Sequence, residues 1–488
     1  MHDGDNSVPA QAPTVPAPAI PVQRVRPRSF ETSEPVVPAE PVVPPEPVAA
    51  ADPVAPAEPA SRASRIVTLG MLAVLGAGTA VALHHFGGDD AALPAAGAPA
   101  APATASAAKA PTPFEAVQEA LAAQAGALLR GDQRGWLAAV DPDQPKLQAR
   151  YRRMYRSLRA LRVSHFTYNT YVRTSAKKAE GTVTVGADIA YCFSRNTCPP
   201  LTGDDYDGPP RLSQALTLTA AGGRYVITRV AAAAQPSHLQ PAPWENDDLV
   251  FAQGRRVTVA ATRGEAEHLA SVVALADRAA AVADRFARYV GNPQQRYRVY
   301  LAGEKSWRSW YGGQRNRWVI GYEIPLNDTG GDVVLRMSGN TDRRQLLNTL
   351  QHELGHVVTL TSGYRGGDDK DGWLREGVAE YIGWYPERAA ASWRRDSVHA
   401  AVNGRRPTSI VAEPLARNAG GEAGEAFYGL GHFAVDCMVE KFGERRMVEF
   451  IRLSLRQDRT YDLASRDAFG KPFTTVDKAC VAWIRRTA

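Results

Sequence analysis

The chain of 488 residues has little cysteine: four residues, none in a CxxC spacing. That argues against zinc-ribbon ligation, which uses closely spaced thiolate pairs. No strong excess of one charge is present either. The formal balance is +6, and the basic residues are scattered apart from one run, ARYRRMYRSLRALRV (Ala149–Val163). Nothing resembling a nucleic-acid motif accompanies it, and Tyr151, Met154, Leu158 and Leu161 recur in it at helical spacing. The run reads as the solvated face of a helix, and no nucleic-acid partner is expected. Asp368, Asp369 and Asp371 crowd one loop without EF-hand spacing, so they read as solvated rather than calcium-binding. No internal repeat is visible, which excludes a solenoid.

What is there changes along the chain. Prolines crowd residues 1–61 in PVVP, PAEP and PPEP units. Such a segment cannot bury a core and is expected to be a disordered tail of polyproline II character. Residues 62–86 contain IVTLGMLAVLGAGTAVALHHF (Ile66–Phe86). Its charge-free part approaches the roughly 20 residues that span a bilayer, and predicts one transmembrane helix. Arg62 and Arg65 precede it and Asp89 and Asp90 follow. The positive-inside rule then puts the tail in the cytoplasm and the rest outside, as a single-pass protein of the cell membrane. Residues 87–112 read as an Ala/Pro spacer.

The four cysteines, Cys192, Cys198, Cys437 and Cys480, all follow that segment, on the side where disulfides persist. The pairs 192–198 and 437–480 are favoured, since each stays within one globular unit.

Two such units are expected, making the fold class α+β. Residues 113–236 begin with helical runs and continue with alternating segments, HFTYNTYVRT, EGTVTVGADIAYCF, RLSQALTLTAA and GRYVITRV. Those segments predict an antiparallel sheet. Helices followed by a long-stranded meander resemble the NTF2-like cone. Residues 243–488 open with short strands and a long helix over Glu265–Val290, and are mostly helical after Thr341.

The chemistry concentrates in LQHELGHVV (Leu350–Val358). On a helix, His352 and His356 share a face and can offer two imidazole nitrogens to one metal, with Glu353 beside them as general base. Asn340 or Thr341 is placed to cap the helix, and Leu346, Leu347, Leu350, Leu354, Val357 and Val358 supply its apolar side. Catalytic zinc usually takes three protein ligands. The metzincin pattern HExxHxxGxxH is absent. Instead WLREGVAEY follows, with 19 residues between His356 and Glu376.

HELGH followed by WLREGVAEY resembles the gluzincins, the peptidase MA-like zinc metallopeptidases. The resemblance covers roughly residues 249–488 and implies a thermolysin-like domain. It implies His352, His356 and Glu376 as Zn2+ ligands, Glu353 as catalytic base and Glu380 as the carboxylate that orients a ligating histidine. Tyr428, in AFYGLGHFAV, becomes the candidate oxyanion stabiliser, with His432 second. The gap before Glu376 is a residue longer than in the clan's aminopeptidases, and no GAMEN stretch precedes the helix, so an endopeptidase is favoured. The strand before the zinc helix, Val333–Met337, is expected to line the substrate groove. The expected function is a membrane-anchored, extracytoplasmic zinc peptidase acting on a peptide or protein. The alternative is a catalytically silent zinc-fold scaffold of the cell envelope, and a hydrolase of another amide also stays open.

Overall fold

The structure is a computed structural model. It describes residues 110–172, 180–195, 198–201, 208–316, 318–326, 330–360, 369–416 and 419–488. The expected proline-rich tail, transmembrane segment and most of the spacer lie outside these residues.

Thr112 caps the first helix, α1 (Pro113–Arg130), by accepting from the Glu115 amide, while Glu115 accepts from the Thr112 amide at 2.7 Å. This reciprocal pair satisfies two orphan donors, and Gly131, at φ 79°, ends the helix. Helices α2 (Gln133–Ala138) and α3 (Pro145–Ala160) follow. The four alternating segments then form strands β1 (Val163–Val172), β2 (Thr182–Phe193), β3 (Arg211–Ala221) and β4 (Arg224–Ala232), paired antiparallel in chain order. Trp136 fills the space beneath, 5.6 Å from the Tyr151 ring and 5.7 Å from Phe166.

After the one-turn helix α4 (Pro243–Asn246), strands β5 (Leu249–Gln253) and β6 (Val257–Thr262) lead into the long helix α5 (Leu269–Val290). Then come β7 (Tyr297–Ala302), the short α6 (Glu304–Trp307), β8 (Gly321–Pro325) and β9 (Gly331–Arg336). The sheet order is β5-β6-β7-β9-β8. The β6–β7 and β7–β9 pairs are parallel and the outer pairs antiparallel.

The expected fold class is corrected on two counts. The architecture is mixed α/β rather than α+β, because β6 and β7 run parallel and a parallel return needs a crossover, which α5 supplies. The sheet is accordingly buried on both faces. Val257, Val259, Val299, Leu301, Val333 and Leu335 face the helical core. Ala260, Tyr300, Ala302 and Val334, the alternate positions, join Trp136, Phe166 and Trp244 in the other core. On that second face the buried Arg298–Asp332 ion pair lies between the layers, with the Tyr311 hydroxyl donating to Asp332 at 2.6 Å. The second count concerns the membrane. Among the described residues no helix is long and apolar enough to cross one.

The remainder is helical: α7 (Arg343–Thr359), α8 (Gly372–Trp384), α9 (Arg395–Arg405), α10 (Gly421–Phe442), α11 (Glu444–Ile451), α12 (Tyr461–Phe469) and α13 (Phe473–Thr487). Asp342, not Asn340 or Thr341, caps α7, accepting from the Gln345 amide at 2.8 Å. Asn340 instead donates to the Ile320 and Arg336 carbonyls and ties the strand ends together. Helices α8 and α10 cross at a glycine pair. A Cβ at Gly377 would stand 2.5 Å from the Gly431 carbonyl oxygen, so only glycine permits this approach. Disulfides join Cys192 to Cys198 and Cys437 to Cys480, the second tying α10 to α13.

Candidate metal centre and cleft

Helix α7 carries His352, Glu353 and His356, and α8 brings Glu376 and Glu380 against it. The close approach has a local cause: Gly383 leaves room for the α7 backbone, where a Cβ would meet the Asn348 carbonyl and His352 Cβ, each at 3.3 Å. Nε2 of His352 and Nε2 of His356 are 3.1 Å apart. Glu376 Oε2 is 3.3 Å from the first and 3.2 Å from the second. A tetrahedral zinc with bonds of roughly 2.0–2.1 Å holds neighbouring ligand atoms roughly 3.3 Å apart. The three atoms match one face of such a tetrahedron. Glu376 Oε2 is buried and accepts no well-aligned hydrogen bond, as suits an oxygen facing a shared cation. The donor set fits zinc, and these three residues form the described cluster able to hold a metal.

The second nitrogen of each histidine differs. His352 Nδ1 lies 3.0 Å from Glu380 Oε1, whereas His356 Nδ1 is buried with no hydrogen-bond partner. Burial opposes charge on His352, but the Glu376 and Glu380 carboxylates outweigh it and push its pKa up to about 10. For His356 burial prevails over Glu376, and the pKa is lowered. Glu376 and Glu380 are held well below the carboxylate range although burial opposes this. His356 and His352 act on the former, Arg394 and His352 on the latter. Glu353 moves the other way. Burial, helped by the negative Glu376 and Glu380 and opposed by His352, raises it to about 7. A carboxyl poised there suits a base working near neutral pH.

The sequence-predicted residues converge, with two exceptions, His432 and the strand Val333–Met337. Tyr428, on α10, lines the cleft, its ring 5.9 Å from that of His352. Burial, together with Glu376, Glu353 and Glu380, raises its pKa well above the usual value, so the hydroxyl stays a donor. His432, one turn on, is fully buried, with neither ring nitrogen hydrogen-bonded, and does not reach the cleft. Asp371 hydrogen-bonds the Tyr461 hydroxyl at the start of α8, and Asp368 lies outside the described residues.

Val333–Met337 does not line the groove. Val333, Val334 and Leu335 are wholly buried, because β8 pairs outside β9 and takes the edge. The cleft is bordered instead by Trp318, Val319, Ile320 and Gly321.

Sequence reasoning missed Arg394. Its guanidinium lies 3.1 Å from Glu380 Oε1 and 2.6 Å from Glu425 Oε2, and 5.4 Å from the Tyr428 ring centre. It braces the carboxylate behind His352 and the cleft tyrosine together. Arg394 sits just before α9 in ASWRRDS, a stretch with no motif spacing, so the sequence carried no signal for it.

No protein-family model matches this chain, and no curated protein matches it.

Proposed function

We propose that this chain is a zinc-dependent peptidase of gluzincin type, an endopeptidase hydrolysing peptide bonds in extended chains. One observation carries the reading: the 3.1–3.3 Å triangle of His352, His356 and Glu376 atoms beside Glu353, a carboxyl poised near neutrality. Zinc held by the three ligands would supply a Lewis acid for the scissile carbonyl and acidify a water.

The chain's own groups do the rest. Glu380 accepts the Nδ1 proton of His352, which keeps the Nε2 lone pair for the metal. Glu353 takes a proton from water and passes it to the leaving amine. The Tyr428 hydroxyl donates to the developing oxyanion. Strand β8, at the sheet edge, supports recognition of an extended peptide through its backbone. The two disulfides support an oxidising, extracytoplasmic setting.

The test is metal analysis and a peptide-library digest of the full chain and its Glu353→Gln variant. The variant is expected to keep zinc and lose about 10²–10⁴-fold in turnover. Equal cleavage by both would reject the assigned base. Zinc without any turnover in the unmodified chain would favour a silent scaffold.

A further inference from the structure

We propose that Gly321 is a positioning residue for Glu353: the side chain it lacks is the space the base occupies. The seat is argued from geometry, and its kinetic consequence rests on the peptidase reading above.

Gly321 opens β8 opposite α7. Its φ lies outside the left-handed region, so the backbone does not call for glycine. Space does. A Cβ at 321 would stand 2.7 Å from Glu353 Oε1, 2.9 Å from Thr349 Cγ2 and 3.1 Å from Glu353 Cγ. Real Cβ atoms essentially never show contacts under 3.0 Å, so a neighbour would have to shift.

The neighbours are not equally free. Thr349 Oγ1 donates to the Gln345 carbonyl at 2.9 Å, and a β-branched side chain in a helix has few alternative rotamers. Helix α7 is held from behind, since Leu350 and Leu354 are wholly buried there. The strand cannot withdraw, because Gly321 pairs with Leu335 and the Arg336 amide donates to Ile320 O at 2.9 Å. The Thr349 methyl has to give slightly, and the Glu353 carboxylate, at the end of a flexible chain, is the neighbour free to move far. A methyl at 321 therefore displaces the base, and none of the three ligand residues is among the nearest atoms it would meet.

Gly331 supplies the contrast. It lies in β9, paired with Pro325 at the opposite end of β8 from Gly321, and also against α7. A Cβ there would press on Glu323 Oε1 and on Val357 Cγ2, and Glu353 is not among the three nearest atoms.

The experiment compares the zinc-loaded full chain with Gly321→Ala and Gly331→Ala. Gly321→Ala is expected to keep its zinc and its KM and to lose about 100-fold in kcat. Gly331→Ala is expected to keep kcat. Crystals of Gly321→Ala are expected to show the Glu353 carboxylate displaced. An unmoved carboxylate, or the same loss of kcat in both variants, overturns the proposal. Should Gly321→Ala not fold, adding Thr349→Ser removes the rigid methyl and keeps the clash with Glu353. If the unmodified chain cleaves no peptide, the peptidase reading fails on its own, and the position of Glu353 in the crystals still decides the seat.

Discussion

His352 and His356 stand one helical turn apart and share Glu376, yet their proton affinities move in opposite directions. The difference is Glu380, which reaches only His352. Glu380 is itself held by Arg394, so the ring is fixed through two successive contacts. Glu380→Gln is expected to weaken zinc binding about 10–100-fold, read by competition with a chromophoric chelator. Arg394→Met is expected to weaken it less, and Arg394→Lys to restore part of the loss, because a lysine keeps the charge without the planar fork. Most of this site was legible in the chain. HELGH and WLREGVAEY have fixed helical spacings, and a spacing of one turn dictates a shared face. Arg394, Glu425 and Gly321 were not legible. Each reaches the site through tertiary packing, and no periodicity links them to His352.

At the scale of elements, the packing depends on places where backbone meets backbone or charge is buried. Gly377→Ala would drive a methyl into the Gly431 carbonyl where α8 crosses α10. The expected cost is about 1–3 kcal/mol, measured by urea unfolding, with some loss of zinc because Glu376 precedes the crossing. Between the two sheets, Asp332→Ala would strand Arg298, whose side chain is only 5% exposed. Removing one partner of a buried pair costs about 3–5 kcal/mol, so this variant is expected to unfold at markedly lower urea than the parent. The strands themselves were readable, since HFTYNTYVRT and GRYVITRV alternate with period 2. Their order in the second sheet was not. Whether β8 or β9 takes the edge depends on tertiary pairing, and alternation does not encode it. The cap of α7 shifted for a related reason. Asn340 is a good capping residue by type, but two carbonyls across the turn claim its amide.

For the whole molecule, the decisive feature is that one sheet serves two cores. The fragment 243–488 would leave Ala260, Tyr300, Trp307, Trp310 and Val334 without the layer that buries them. Expressed alone, it is expected to aggregate, whereas 110–488 is expected to elute as a folded species in size-exclusion chromatography. The Cys437–Cys480 bond constrains the helical side instead. Replacing both cysteines with alanine is expected to cost about 2–4 kcal/mol, read as the shift in urea midpoint between the oxidised parent and the variant.

The shared sheet has a further consequence for how the chain would respond to being cut. Residues 234–236 are exposed and join the layers in sequence. Scission there would break a covalent link and leave the interface of Trp136, Phe166, Tyr300 and Val334 untouched. The two pieces would migrate apart on a denaturing gel and remain one particle in solution. For this chain, a nick is a change of connectivity without a change of shape.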